Sequence, residues 1–248
     1  MSFYIGLSFL SNNEAGRKIP HGLLSAEARR VLSCFEGGNP AGIAIDDNGR
    51  PFLPGKRCDF SISHSGAMAA VSFVNGKERR TRGTRLYTRM THLHTGCDIQ
   101  IVKPGTRMEE IAELFFRAAE RDYIFEGGQF DRNRFFEIWA LKECFLKLRG
   151  FSVFDMASAP SFISAGGPDG FRFAFGETVS SPLSFYLYRL TGNTGERYYL
   201  AAAVEGVASM TRASPPAIRW FSQSFLPCRS IAEIKAAPSP AKTVSPNM

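Results

Sequence analysis

No run in this chain approaches the roughly 18 consecutive apolar residues that a membrane-crossing helix needs, so an integral membrane helix is not expected. The five cysteines (Cys34, Cys58, Cys97, Cys144 and Cys228) form no CxxC pair and no Cys/His ligand spacing. An odd, scattered set argues against a disulfide framework and against a structural zinc site. Cys97 and Cys144 each adjoin an acid, but the plain reading of both is small buried filler. The apolar opening "FYIGLSFL" has no basic segment before it, so it reads as a first strand rather than a signal peptide, and a cytoplasmic location is expected. There is no evident internal repeat.

What the chain does contain is enough apolar material for a core. Hydrophobic residues make up 44% of 248 and charged ones 21%, the balance of a globular protein of one large domain or two small ones. The net charge of +7 points to an acidic partner or substrate. That charge is concentrated. Residues 77–89, "KERRTRGTRLYTR", carry six basic residues and one acidic one, +5 in all.

The coarse pattern mixes helix and strand throughout. "HGLLSAEARRVLSCFEGG" has Leu23, Leu24, Ala28, Val31 and Leu32 at helical spacing and a glycine pair to stop it. "AMAAVSFV" and "GCDIQIV" read as strands, with the basic segment 77–95 as a long loop between them. "MEEIAELFFRAAERDYIF" predicts one helix with Ile111, Leu114, Phe115 and Ala118 on a single face, and a second helix covers about 133–149. "LSFYLYRL" and "RYYLAAAV" flank the turn-rich "TGNTGE" as an antiparallel hairpin. An α+β protein of two comparable lobes follows: 1–104 with the basic loop, then 105–211. From 212 to 248 the chain is Pro-rich, which predicts an extended tail with "IRWFSQSFL" docking on the body.

Three stretches carry candidate chemistry. In "FFEIWALKECFLKLRG", Trp139, Glu143 and Lys147 are four apart and line one stripe, with Lys142 beside it. An ordinary intrahelical ion pair explains the same spacing equally well. "SISHSG" sets Ser63, His64 and Ser65 before a glycine, where a lone loop histidine is usually solvated. In "GCDIQ", Asp98 and Gln100 share one strand face, and an inward Asp98 would need a cation or a hydrogen-bonding partner. The alternative is an acid at a strand end, turned to water.

Taken in order, "RPFLPG…FSISHSG", "GCDIQ" and "FFEIWALKECFLKLRG" resemble the 4′-phosphopantetheinyl transferases of the Sfp type. That family has a "GKP" turn, an "SHS" segment, a G-x-D-x-E strand and a W-x-x-K-E-x-x-x-K helix. The likeness covers about residues 20–155, the helix being its most specific part. It implies a pseudo-twofold pair of α/β lobes with the active site between them. It also implies a reaction, the transfer of phosphopantetheine from coenzyme A to a serine of an acyl or peptidyl carrier protein, with release of 3′,5′-ADP. By the same resemblance Asp98 and Glu143 would hold Mg²⁺, with Gln100 as a third ligand, and Glu143 would accept the serine proton. Lys147 would contact the pyrophosphate with Lys142 as its neighbour. Ser63 and His64 would meet a coenzyme A phosphate, Arg50 and Pro51 would border the adenine, and Trp139 would pack. A monomer is implied, because the Sfp-type chain supplies both lobes itself.

The sequence departs from the family in three places. Gln100, whose amide brings no charge to a metal, stands where many members have a second strand carboxylate. The basic residues that grip the 3′-phosphate near the N-terminus have only His21, Arg29 and Arg30 as loose counterparts. The loop 77–95 is longer than the usual connection. Gln100 keeps open a non-catalytic relative that binds coenzyme A or a carrier protein. The arginines with Tyr87 keep open a nucleic-acid-binding protein, although no nucleic-acid fold motif accompanies them and nucleic acid is not the expected partner.

Overall fold

In the computed structural model the described residues are 2–9, 21–36, 43–47, 49–56, 58–75, 93–105, 107–164, 171–174, 183–192, 195–205 and 217–221. In chain order the elements are β1 (Ser2–Phe9), α1 (His21–Glu36), β2 (Ala44–Ile45), β3 (Pro51–Phe52), β4 (Cys58–Ser65), β5 (Met68–Asn75) and β6 (His94–Ile101). Then follow α2 (Met108–Phe115), α3 (Ala118–Ile124), α4 (Arg132–Arg149), β7 (Ser161–Ser164), β8 (Phe171–Ala174), β9 (Leu183–Thr191), β10 (Arg197–Glu205) and β11 (Ala217–Phe221). The protein is a mixed α/β fold.

Two sheets carry the body. One has the order β11-β1-β5-β4, with β1 and β4 both antiparallel to β5 and β11 parallel to β1. The other is β6-β10-β9, antiparallel throughout. Period-2 alternation decides how they stack. Phe3, Ile5 and Leu7 of β1 pack with Ile99 of β6 and with Leu200 and Val204 of β10, so these faces meet in a shared core. The opposite face of the first sheet, through Val71 and Phe73, meets Ala28, Val31 and Leu32 of α1. The opposite face of the second, through Phe185, Leu187 and Ala201, meets α4 and its neighbours. The predicted hairpin is there as β9 and β10.

Helix α4 is a core helix more than an amphipathic surface one. Eleven of its 18 residues are buried, on more than one side. Asp131 caps its start by accepting from the Asn133 and Arg134 amides, and Gly150, in the left-handed region at φ 70°, ends it.

Three expectations need correction or closer definition. The single helix predicted from Met108 breaks at Phe116, which is extended (φ −99°, ψ 146°) and buried against Phe135 and Trp139. Burial of that ring outweighs helical continuity, and Leu114, expected on the inner face, is 72% exposed. The expected boundary after residue 104 does not follow the hydrogen bonds either. β6 pairs along its whole length with β10 and belongs to the C-terminal sheet. Within 212–248, Ala217–Phe221 adds a strand beside β1. The rest of that stretch and the basic residues 77–92 lie outside the described residues. Among the described residues no helix is long and apolar enough to cross a membrane.

Candidate active site

The site begins with a close approach. Helix α4 lies directly on β6 at Gly96, where a Cβ would meet the Cys144 carbonyl oxygen, the Leu148 nitrogen at 2.9 Å and the Leu148 Cβ at 2.8 Å. Only glycine leaves that room. Two residues further on, on the same strand face, Asp98 is held against the helix with 1% exposure.

A buried carboxylate needs partners, and Asp98 has three. Lys147 Nζ donates to its Oδ1 at 2.6 Å, Ser63 Oγ to Oδ1 at 2.8 Å, and Gln100 Nε2 to Oδ2 at 2.8 Å. Ser63 Oγ in turn accepts from Lys147 Nζ at 2.9 Å and from the Ile99 amide at 3.1 Å. Burial works against the charge on Lys147, but Asp98, with smaller help from Cys97 and Glu143, outweighs it and holds the ammonium above its usual range. Glu143 is one turn before Lys147 on the same stripe. Burial and then the charge of Asp98 push its carboxyl up to about 7, with Lys147 opposing. Trp139, a further turn back, stacks on Phe135 with centroids 5.7 Å apart and packs as expected.

The fold thus brings together Asp98, Gln100, Glu143, Lys147 and Ser63. It places Lys142 elsewhere. Its ammonium is 3.0 Å from Glu120 with both side chains at 0% exposure, and it also donates to the Pro160 carbonyl at 3.4 Å. Glu120 further accepts from the Phe162 and Arg117 amides. Lys142 therefore ties α4 to α3 and β7 inside the core, and the expected contact with coenzyme A is corrected to a structural pair. His64 lies on strand β4, not on a loop. Alternation turns it to the face opposite Ser63, and therefore away from Asp98. Arg30 pairs with Glu27 at 2.5 Å, while Arg29 is exposed on α1.

Lys147 also lines a cleft of about 220 Å³, together with, among others, Arg50, Pro51, Ser61, Ile62 and Phe151. Arg50 forms its wall with a guanidinium that is already engaged. It donates to the Lys147 carbonyl, to the Leu148 carbonyl at 2.7 Å, to Asp59 and to the Thr95 carbonyl at 2.9 Å. Asp59 also accepts from the Thr95 amide at 2.7 Å. Neither Asp59 nor Thr95 is marked by any local spacing, because the groups they meet through Arg50 are far away in the chain.

Residues 94–203 match the 4′-phosphopantetheinyl transferase superfamily. The matched segment opens on β6 and ends in β10, so it holds Asp98, Gln100, Glu143 and Lys147, while Arg50, Ser63 and His64 precede it. The chain is similar to the 4′-phosphopantetheinyl transferase of Bacillus subtilis, 31% identical over 116 residues covering 45% of this chain and 43% of that one. It is also similar to the 4′-phosphopantetheinyl transferase AcpT of Escherichia coli K12, 28% identical over 123 residues covering 48% and 54%. The chain spans about half the length of these curated relatives.

Asp98, Glu143 and the Gln100 amide oxygen form an oxygen-only set, which suits a hard cation such as Mg²⁺. Among the described residues no group of three His, Cys, Asp or Glu converges. Mg²⁺ is commonly held by one or two carboxylates with the remaining positions filled by substrate phosphates and water, so two acids fit. The elevated Glu143 carboxyl fits too, since a cation would relieve the repulsion that a proton otherwise relieves.

A pH dependence follows for the metal-free protein. Folded Glu143 binds its proton up to about 7, above its ordinary value of 4.5. Between those values the folded state holds more protons than the unfolded one, so stability falls as pH rises through that window. Melting curves at low salt should show this decline, and Glu143→Gln should flatten it. An equal slope in the variant would remove Glu143 as its source.

Proposed function

We propose that this protein transfers the 4′-phosphopantetheine group from coenzyme A to a serine hydroxyl of an acyl or peptidyl carrier protein, with Mg²⁺. The observation that carries the reading is the double address of Lys147. Its side chain reaches Asp98 one turn from Glu143, and the residue also lines the cleft beside Arg50 and Pro51. A ligand seated there would present its phosphates to the lysine and its reacting phosphorus to the acids.

The chemistry is a phosphoryl transfer, in which little covalent work falls to the protein and charge management is most of the task. Asp98 and Glu143 would hold Mg²⁺, with Gln100 through its amide oxygen or a water, and the ion would neutralise charge on the pyrophosphate. The serine oxygen attacks the phosphorus next to the pantetheine arm, and the bond to the bridging oxygen breaks. 3′,5′-ADP leaves with that oxygen. Glu143, directly or through a water, takes the serine proton, and a carboxyl near neutrality is suited to this. Lys147 keeps positive charge beside the departing phosphates. Asp98 holds Lys147 and is held by Ser63 and Gln100, so the acid does not need to be drawn into place during reaction. The acidic carrier partner, a monomeric state, a cytoplasmic setting and a pseudo-twofold relation between the two sheet-and-helix halves belong to the same proposal.

Incubation with coenzyme A, Mg²⁺ and apo carrier proteins, followed by intact-mass measurement of the carriers, tests it. A gain equal to phosphopantetheine is expected. Measurable coenzyme A binding with no gain on any carrier would instead favour a non-catalytic binding relative, the reading that Gln100 keeps open.

A further inference from the structure

We infer that Arg50 is a positioning residue that holds Lys147 in the site through the helix backbone, and is not a contact for the ligand. The inference deepens the transferase reading and rests on it for its kinetic arm.

A guanidinium has five N–H donors in a fixed fork. Four are committed here: Nη1 donates to the carbonyls of Lys147 and Leu148, and Nη2 to Asp59 and to the Thr95 carbonyl. These acceptors lie on α4, β4 and β6, while Arg50 itself comes from the turn before β3. One side chain therefore joins three elements to that turn. The two helix carbonyls are in the last turn of α4, where backbone acceptors lack intrahelical donors. A cation there is also favoured by the helix dipole. Gly150 and Phe151 amides serve Leu146 and Lys147, which leaves Leu148 O to Arg50.

The consequence for the site is geometric. Arg50 grips the backbone of the same residue whose ammonium reaches Asp98 and Ser63. Its side chain is mostly buried, 12% exposed, and it walls the cleft, so it fixes how far the end of α4 lies from the turn across the cleft. A lysine at position 50 would supply charge but not four donors in one plane. It would leave at least one helix carbonyl or the Thr95 carbonyl without a partner.

The test is Arg50→Lys, read in two ways. In the carrier assay the expected result is a kcat lower by about 10–100-fold with the KM for coenzyme A changed less than about threefold. Independently of any activity, the rate at which acetic anhydride acylates Lys147, relative to exposed Lys103 and read by peptide mass mapping, is expected to rise. A raised KM with kcat and Lys147 labelling unchanged would overturn the inference and return Arg50 to the ligand. If the wild-type protein modifies no carrier, the transferase reading fails, and the labelling arm alone decides on Arg50. Asp59→Asn removes the charge at the other end of the fork and should raise Lys147 labelling in the same direction. It serves where Arg50→Lys does not fold, and unchanged labelling in Asp59→Asn would then overturn the inference.

Discussion

Asp98→Asn is expected to lower carrier modification by on the order of 10³-fold while leaving a folded protein. The size follows from what one carboxylate does. Asp98 accepts three side-chain hydrogen bonds, from Lys147, Ser63 and Gln100. It is also one of two acids available to a cation, and its charge lifts the Glu143 carboxyl. An asparagine is nearly the same size, so packing survives, but its amide cannot accept from all three donors. Lys147 loses its counter-ion and Gln100 faces a second amide. Loss of one charged hydrogen bond of this kind costs about 1–3 kcal/mol of stability, and Lys147, part-exposed, can recover some of that in water. The larger loss is in reaction, where displaced charge at a phosphoryl-transfer site typically costs 10²–10⁴-fold. The check is kcat against Mg²⁺ concentration with a parallel melting curve. Retention of wild-type kcat at every Mg²⁺ concentration would remove Asp98 from the metal site.

Gly96→Ala is expected to have the largest effect on stability of any conservative change near the site. The added methyl has nowhere to go. It would meet the Cys144 carbonyl oxygen and the backbone nitrogen of Leu148, and neither is the end of a flexible side chain. Relief requires α4 to lift from β6, and overpacking of this sort typically costs 1–3 kcal/mol. At about 2–4 °C per kcal/mol for a domain of this size, the melting midpoint should drop by several degrees. Because Asp98 and Glu143 are held on the two surfaces that separate, transfer should fall together with it. Gly127→Ala is a useful contrast: its Cβ would meet nothing within 4 Å, although its φ of 74° adds local strain. That variant should leave transfer intact, and an equal loss of transfer in both would point to general destabilisation instead of helix displacement.

Much of the site was legible in the sequence because it depends on local period. The four-residue spacing of Trp139, Glu143 and Lys147 is fixed by the helix itself. The two-residue spacing of Asp98 and Gln100 is fixed by the strand, and both are where those periods put them. Lys142 was misplaced for the same reason in reverse. It is adjacent to Glu143 in the chain, but one residue is about 100° of helix, which turns it from the acids into the core against Glu120. His64 follows the same rule on β4, one residue and one strand face away from Ser63. The break at Phe116 was invisible because helical periodicity runs unbroken through "ELFFRAAE". Only the aromatic stack with Phe135 and Trp139 makes leaving the helix favourable.

By itself, the sequence determined the elements and the identity of the groups: a helix with a carboxylate one turn before a lysine, a strand with an acid and an amide on one face, and a glycine two residues before that acid. Tertiary structure alone decided which of these meet. β6 joined the C-terminal sheet through β10, and that pairing set Asp98 beneath α4. Ser63 and Arg50 reached the same place from 84 and 97 residues before Lys147. Contacts at such separations depend on which faces of two sheets and two helices are apolar enough to be buried together, and no local spacing encodes that outcome.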